Sequence, residues 1–286
     1  MLNSNNFKEP FFDKRFQEAL LALDSKEKDF QLYNQSLKTL MIKVSEGVLL
    51  PVGDRNYVDY RSLSDGEVDL IDLFKQSKYQ KIIIDSVKFG EVEKINEKLQ
   101  DSILSVKIKK KDISIKLDLP ESYERYLEGL DRKSRHELKR KLNKFDKQFK
   151  EYRVTNGDTD KDFTSFINLH KNSSKEKMKF MTGDVEEFFY NILQIEGWSI
   201  YQLEVGEISV ASCFCYSNEE IFYLYNSGKD PNYDEFSVGI YLINELIRKA
   251  IDNKLQIFDL LKGTERYKFN LGGNPEQLFD IELSKI

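Results

Sequence analysis

The tightest constraint on the fold lies between residues 198 and 227. Three runs, 198–205, 207–216 and 220–227, carry strand-like apolar patterning and are separated only by turns at Val205-Gly206 and Ser217-Asn218. Such short connections leave no room for a crossover, so neighbouring runs fold back on one another as a β-meander. A polar loop over 228–235 then leads into a helix-spaced stretch at 237–253 and a further strand at 257–261.

The rest of the chain reads as interleaved helices and strands. Phe12, Phe16, Ala19, Leu20 and Leu23 recur at helical spacing over 11–23. Strands follow over 37–44 and 48–51, with Glu46-Gly47 as the turn between them, and then a helix over 68–74. The run 81–87 is apolar enough for a strand buried on both faces. A charged helix over 92–99 and strands over 103–108 and 113–119 complete a small α/β unit. Pro120 and Glu121 open a long helical region whose Leu127, Leu130, Leu138, Leu142, Phe145 and Phe149 keep to one stripe. A strand over 152–154, helices over 162–170 and 185–193, and a last strand over 278–283 finish the pattern. The second half echoes the first in element order without a residue-level repeat. The expected architecture is α/β, in two similar lobes over 1–120 and 121–286.

Composition sets outer limits. With 40% hydrophobic and 33% charged residues the chain has globular proportions. Its 49 acids outnumber its 44 bases, which excludes a polycation built as a whole for DNA. Bases nevertheless concentrate over 132–150, as Arg132, Lys133, Arg135, Lys139, Arg140, Lys141, Lys144, Lys147 and Lys150. Cys213 and Cys215, the only cysteines, share one strand face and make poor disulfide partners. The first ten residues lack the apolar core of a signal peptide, and no apolar run approaches the length of a membrane span. A cytoplasmic protein is expected. No metal-ligand cluster, nucleotide fingerprint or nucleophilic triad is seen, so no metal site is expected.

Four stretches in a fixed order carry a family resemblance. They are Val52-Gly53 with Val58-Asp59-Tyr60; the segment 119–140; Phe166-Ile-Asn-Leu-His170; and the C-terminal stretch through Tyr223, Gly239, Asp259 and Gly273. Together they resemble the GNAT N-acetyltransferase superfamily. More narrowly they resemble its acetyltransferase branch named after cellulose biosynthesis, which is related to the Fem-type aminoacyl transferases. The resemblance implies tandem GNAT-like lobes, each a mixed, mostly antiparallel sheet flanked by helices. It also implies an acyl-coenzyme A donor, such as acetyl-coenzyme A, whose pyrophosphate lies on backbone amides at a helix start. Phe236, Ser237, Val238 and Gly239 hold the corresponding place, although only Ser237 and Gly239 are left of the superfamily's fuller signature. Free amides and the helix dipole bind phosphate without side chains. The plain alternative is an ordinary helix start capped by Ser237.

Asp259, Gly263, Tyr267 and Lys268 resemble the family's Asp-x-x-x-Gly-x-x-x-Tyr-Lys motif. In that setting Lys268 would neutralise negative charge on the tetrahedral intermediate or a phosphate, and Tyr267 would protonate the leaving thiolate or orient the acceptor. Otherwise Tyr267 is a half-buried phenol and Lys268 a surface ammonium. Asp259 sits in an apolar strand and needs a partner or a shifted pKa. It is a base for the acceptor amine, or it pairs with Lys268 or Arg266. His170 matches a family histidine and is a second candidate base, against a structural role for a lone helical histidine. Asp59 and Tyr60, with Tyr225, would bind the acceptor, turn chemistry being the alternative for the first two. Arg135 and Arg140 match the family's arginines and would help hold the donor, while the other bases form a solvated face.

The expected activity is transfer of an acyl group from acyl-coenzyme A to an amine on an amino sugar or small metabolite, by direct attack. Aminoacyl transfer from charged tRNA is the second reading, favoured by the basic segment and disfavoured by the net charge. A third is a catalytically silent binding protein that kept the fold.

Overall fold

The computed structural model of the chain describes residues 9–26, 31–34, 40–63, 69–98 and 104–286. In chain order the elements are α1 (Lys14–Asp24), β1 (Gln31–Asn34), β2 (Ile42–Ser45), β3 (Val48–Pro51), α2 (Leu70–Gln76), β4 (Lys81–Lys88), α3 (Phe89–Lys98) and β5 (Leu104–Asp118). Then follow α4 (Tyr123–Gly129), α5 (Arg132–Gln148), β6 (Tyr152–Gly157), α6 (Asp160–Ser173), α7 (Lys175–Phe180) and α8 (Gly183–Leu193). The meander is β7 (Trp198–Val205), β8 (Ile208–Ser217) and β9 (Ile221–Lys229). A short 3₁₀ turn, Pro231–Phe236, precedes α9 (Val238–Asp252), β10 (Ile257–Lys262), α10 (Arg266–Asn270) and β11 (Asn274–Lys285).

The chain divides into two compact units. One holds residues 1–113 and 276–286, the other 114–275, so the C-terminal strand returns to the first unit. In the first unit β1, β2 and β3 run antiparallel, β3 lies parallel to β4, and β4 is antiparallel to β11. In the second, β6, β7, β8 and β9 run antiparallel, β9 lies parallel to β10, and β10 is antiparallel to the end of β5. In each unit the strand pairing is thus mixed and mostly antiparallel, with helices against the strands. Each also ends in the same sequence of one parallel and then one antiparallel pairing.

The first unit is built around Leu49, Phe74, Ile82, Ile84, Ile281 and Leu283, all fully or almost fully buried. Along β4 burial alternates, because Lys81 and Asp85 take the opposite face and engage Glu282 and Arg61. The expectation of a strand buried on both faces is corrected accordingly. Residues 103–108 and 113–119, read as two strands, form the single strand β5. The intervening lysines are mostly exposed and cost the strand nothing. The long helical region after Glu121 is broken in two. Leu130 leaves helical geometry, and Asp131 caps α5 by accepting from the Lys133 and Ser134 amides at 2.9 and 3.1 Å. Residues 37–39, 68, 99 and 103, included in the elements expected above, lie outside the described residues. Among the described residues no helix is long and apolar enough to cross a membrane, and no cluster of His, Cys, Asp or Glu is arranged to hold a metal ion.

Candidate functional site

The second unit opens where β9 and β10 part. Their parallel pairing covers only Ile257 with Ile221, Phe258 with Phe222 and Asp259 with Tyr223. A bulge then turns β10 aside, with Leu261 at φ 58° and Gly263 at φ 112°. The remaining length of β9 keeps β8 on one side only. The Asp230 amide donates to the Val210 carbonyl at 2.9 Å, which fixes the alternation so that the backbone groups of Ser227 and Lys229 face away from β8. Unpaired strand groups need partners, and side chains supply them. Asn226 Oδ1 accepts from the Ser227 amide at 2.8 Å, Ser173 Oγ accepts from the Lys229 amide at 2.8 Å, and Lys177 Nζ donates to the Ser227 carbonyl.

This open edge borders a cavity of about 410 Å³ at the start of α9. Its lining includes Lys177, Cys213, Ser227, Ser237, Gly239 and Tyr267. Ser237 occupies the left-handed region (φ 55°, ψ 40°), and its side chain caps nothing. The Tyr241 amide is the first to bond back into the helix, to the Ser237 carbonyl at 3.0 Å. The amides of Val238, Gly239 and Ile240 precede it, free of intrahelical partners as at any helix start. Those amides and the helix dipole suit a phosphate or a polarised carbonyl. A Cβ at Gly239 would meet only the Lys229 side chain at 3.8 Å, so steric room is not what requires a glycine there.

Tyr267 also lines a second, open cleft of about 1000 Å³. Here Arg132, Lys133, Arg140, Lys141 and Arg266 outnumber Asp131 and Glu137. Burial raises the Tyr267 phenol above its ordinary value, and Glu265 and Cys213 add to the rise, so it holds its proton at neutral pH. Burial likewise pushes the Cys213 thiol up to about 12, against a downward pull from Lys177. Neither is a nucleophile in this state.

The structure brings some expected site residues together and separates others. Ser237, Gly239 and Tyr267 share the α9 cavity. Val238 turns its side chain into the core, and Phe236 packs on Phe149 with ring centroids 4.9 Å apart. Lys268, though adjacent to Tyr267, points the other way. It is 3% exposed and donates to the carbonyls of Leu261 (3.4 Å) and Lys262 (2.5 Å) and to Glu265 (3.1 Å). Its expected place on a solvated surface, the alternative to catalysis, does not hold either. Asp259 is 1% exposed and accepts from the Leu261 amide at 2.8 Å, holding the bulge.

His170 is buried at the end of α6 between Phe166 and Phe180 and does not line the cavity. Burial and the nearby Lys177 lower it to about 4, against a hydrogen bond to the Asn226 side chain that works the other way. Tyr225 sits in an aromatic cluster with Phe189, Trp198 and Phe214. Arg135 donates to the Leu127 and Glu128 carbonyls at the end of α4 (3.5 and 3.2 Å), and Arg140 forms a fork with Glu137 at 2.8 Å on both arms. Asp59 and Tyr60 belong to the first unit. There Tyr60 is fully buried, edge-on to Phe11, with the Lys88 ammonium 3.8 Å from its ring centre. Sequence reasoning missed Lys177 and Cys213 as cavity residues. Lys177 stands among Lys175, Glu176 and Lys179, and only the tertiary fold distinguishes it.

No curated protein matches this sequence. At the level of the fold the chain is similar to a conserved protein of unknown function from Bacteroides thetaiotaomicron. That pair has a TM-score of 0.63 and 14% identity over 97% of this chain and 93% of the other. It is also similar to FemX, with a TM-score of 0.60 and 11% identity over 91% of this chain and 90% of FemX. Residues 132–269, which contain every residue lining the α9 cavity, match the sequence model of the acetyltransferase (GNAT) domain.

Proposed function

We propose that the second unit is an N-acyltransferase that moves an acyl group, acetyl in the simplest case, from a coenzyme A thioester to an amine. The observation that carries this reading is the position of Tyr267. Tyr267 lines both the cavity at the α9 start and the basic cleft, and its phenol keeps its proton. The donor's phosphates would lie on the amides of Val238, Gly239 and Ile240, with its acyl end beside the open edge of β9. The acceptor amine would enter from the basic cleft and attack the thioester carbonyl directly. The carbon–nitrogen bond forms, the carbon–sulfur bond breaks, and Tyr267 donates its proton to the departing sulfur. Holding both reactants against rigid strands supplies most of the rate advantage. Lys268 and Asp259 act in this scheme by fixing the β10 bulge and the short helix that carries Tyr267. The narrower kinship with the cellulose-biosynthesis branch, an amino-sugar or small-metabolite acceptor, and an acceptor role for Tyr225 belong to the same proposal.

A second reading, aminoacyl transfer from charged tRNA, draws on the basic cleft alone. Thermal unfolding separates the two, because a ligand that binds only the native state raises the midpoint. Acetyl-coenzyme A is expected to raise it at both low and moderate salt. A rise with total tRNA alone, lost as salt increases, would replace coenzyme A with tRNA as the donor. No rise with either refutes the transferase reading.

A further inference from the structure

The scheme above leaves one proton without a destination, the one the acceptor nitrogen must lose. We propose that Lys177 receives it; this assignment rests on the acyl-transfer reading. Elimination carries the argument. The titratable side chains lining the α9 cavity are Lys177, Cys213, Lys229, Asp234 and Tyr267. Lys229 and Asp234 are paired with each other at 2.5 Å, half exposed. Burial pushes Cys213 and Tyr267 toward their protonated forms and, of the three, only Lys177 toward losing its proton. His170 and Asp259, the two candidates from sequence, are buried outside the lining. Lys177 remains.

Its placement fits the task. Ser174 Oγ accepts from the Lys177 amide at 3.2 Å, and the Met181 amide donates to its carbonyl at 3.1 Å, so the backbone of α7 is pinned at both sides of the residue. The side chain reaches the Ser227 carbonyl on the open edge of β9. A neutral amine has two N–H groups, so it keeps that bond and still offers a lone pair to the cavity. The charged and titratable groups facing it are Cys213 on β8 and Glu265 after β10, which favour its proton, and Lys229 on β9, which opposes it. His170 on α6 is itself lowered by Lys177. Burial is the largest influence on Lys177 and moves it down from 10.5.

The proton count closes. The acceptor N–H proton passes to Lys177 Nζ as the carbon–nitrogen bond forms. The Tyr267 proton passes to the thiolate as the carbon–sulfur bond breaks. The Lys177 ammonium then restores the Tyr267 phenol, leaving amide and free thiol as products.

Competitive labelling of the full chain with isotopic acetic anhydride tests this directly, read peptide by peptide across pH 6 to about 11. The exposed Lys254 serves as internal reference. Lys177 is expected to titrate below Lys254, and coenzyme A is expected to cut its labelling at least about fivefold. Lys177→Arg keeps a donor for the Ser227 carbonyl but cannot accept a proton at these pH values. It is expected to retain the coenzyme A melting shift and to lose at least about tenfold in acetyl transfer to the best primary-amine acceptor of the wild type. A Lys177 midpoint equal to that of Lys254, or an arginine variant as fast as the wild type, overturns the proposal. Absence of any melting shift with coenzyme A in the wild type overturns the acyl-transfer reading itself. A shift without the lowered midpoint overturns only the role of Lys177.

Discussion

Protonating His170 should unfold the second unit's α6–β9 junction, and the size of the effect follows from where the ring sits. The imidazole is 1% exposed, packed between Phe166 and Phe180, and lowered from 6.5 to about 4 chiefly by burial. Its Nδ1 has no hydrogen-bond partner among the described residues. A group whose folded pKa is depressed favours the folded state in full above its unfolded value. That contribution is lost as pH falls through the folded value. Here the window runs from about 6.5 down to about 4, and at 1.36 kcal/mol per unit the loss between pH 7 and pH 4 comes to about 3 kcal/mol. Urea unfolding at a series of pH values measures it, with His170→Asn as the comparison. The carboxylates titrate in both proteins, including Glu137, which the Arg140 fork lowers to about 2. The informative quantity is therefore the difference between the two stability profiles. The wild type should lose about 3 kcal/mol more than the variant over this window. Parallel profiles would mean that the imidazole is not desolvated, and the reason for removing it from the list of bases would go with it.

Three further substitutions probe the same framework. A Cβ on Gly228 would stand 2.3 Å from the His170 nitrogen and 2.5 Å from the Leu169 carbonyl carbon, both backbone atoms, so Gly228→Ala must push α6 off β9. It is expected to cost about 2–4 kcal/mol in chemical unfolding, and an unchanged midpoint refutes the close approach. Lys268→Met should lose about 2 kcal/mol, because the Leu261 and Lys262 carbonyls lose their buried ammonium partner. Full stability together with lost transfer would instead make Lys268 catalytic. Ser237→Gly should stabilise by up to about 1 kcal/mol, since the residue is left-handed and its hydroxyl caps nothing. Its coenzyme A melting shift should match the wild type, because phosphate binding there uses amides; a reduced shift would assign the hydroxyl to the donor.

The meander was legible because turns of two and three residues admit one arrangement, and α9 because its apolar residues keep a helical period across its whole length. Local pattern failed where it continued through a boundary. The stripe joining Leu127, Leu130 and Leu138 hid the break before α5, although Asp131 is a standard capping residue. The lysines at 109–111 interrupted the apolar pattern between two expected strands, yet a strand tolerates charge on residues that face solvent. The Tyr267-Lys268 pair was visible as a motif, but not the divergence of its side chains. Neighbours on a helix point about 100° apart, so one reaches the cavity while the other turns back to β10.

A single cause joins the fold to the proposed chemistry. Where β10 turns aside, β9 must satisfy its outward backbone groups without a neighbouring strand, and Asn226, Lys177 and Ser173 do so. The separation that creates this demand also creates the space at the α9 start. A side chain recruited to satisfy a strand edge is therefore delivered, partly stripped of water, into the cavity where a thioester would lie. Lys177 owes its lowered pKa to that recruitment, and no local sequence pattern records it. The same reasoning makes Ser227 the position to watch. Its carbonyl is the anchor, so any change that lets β9 and β10 stay paired as far as Ser227 would release Lys177 to solvent. Its labelling midpoint would then return to that of Lys254, and the transfer activity would fall with it.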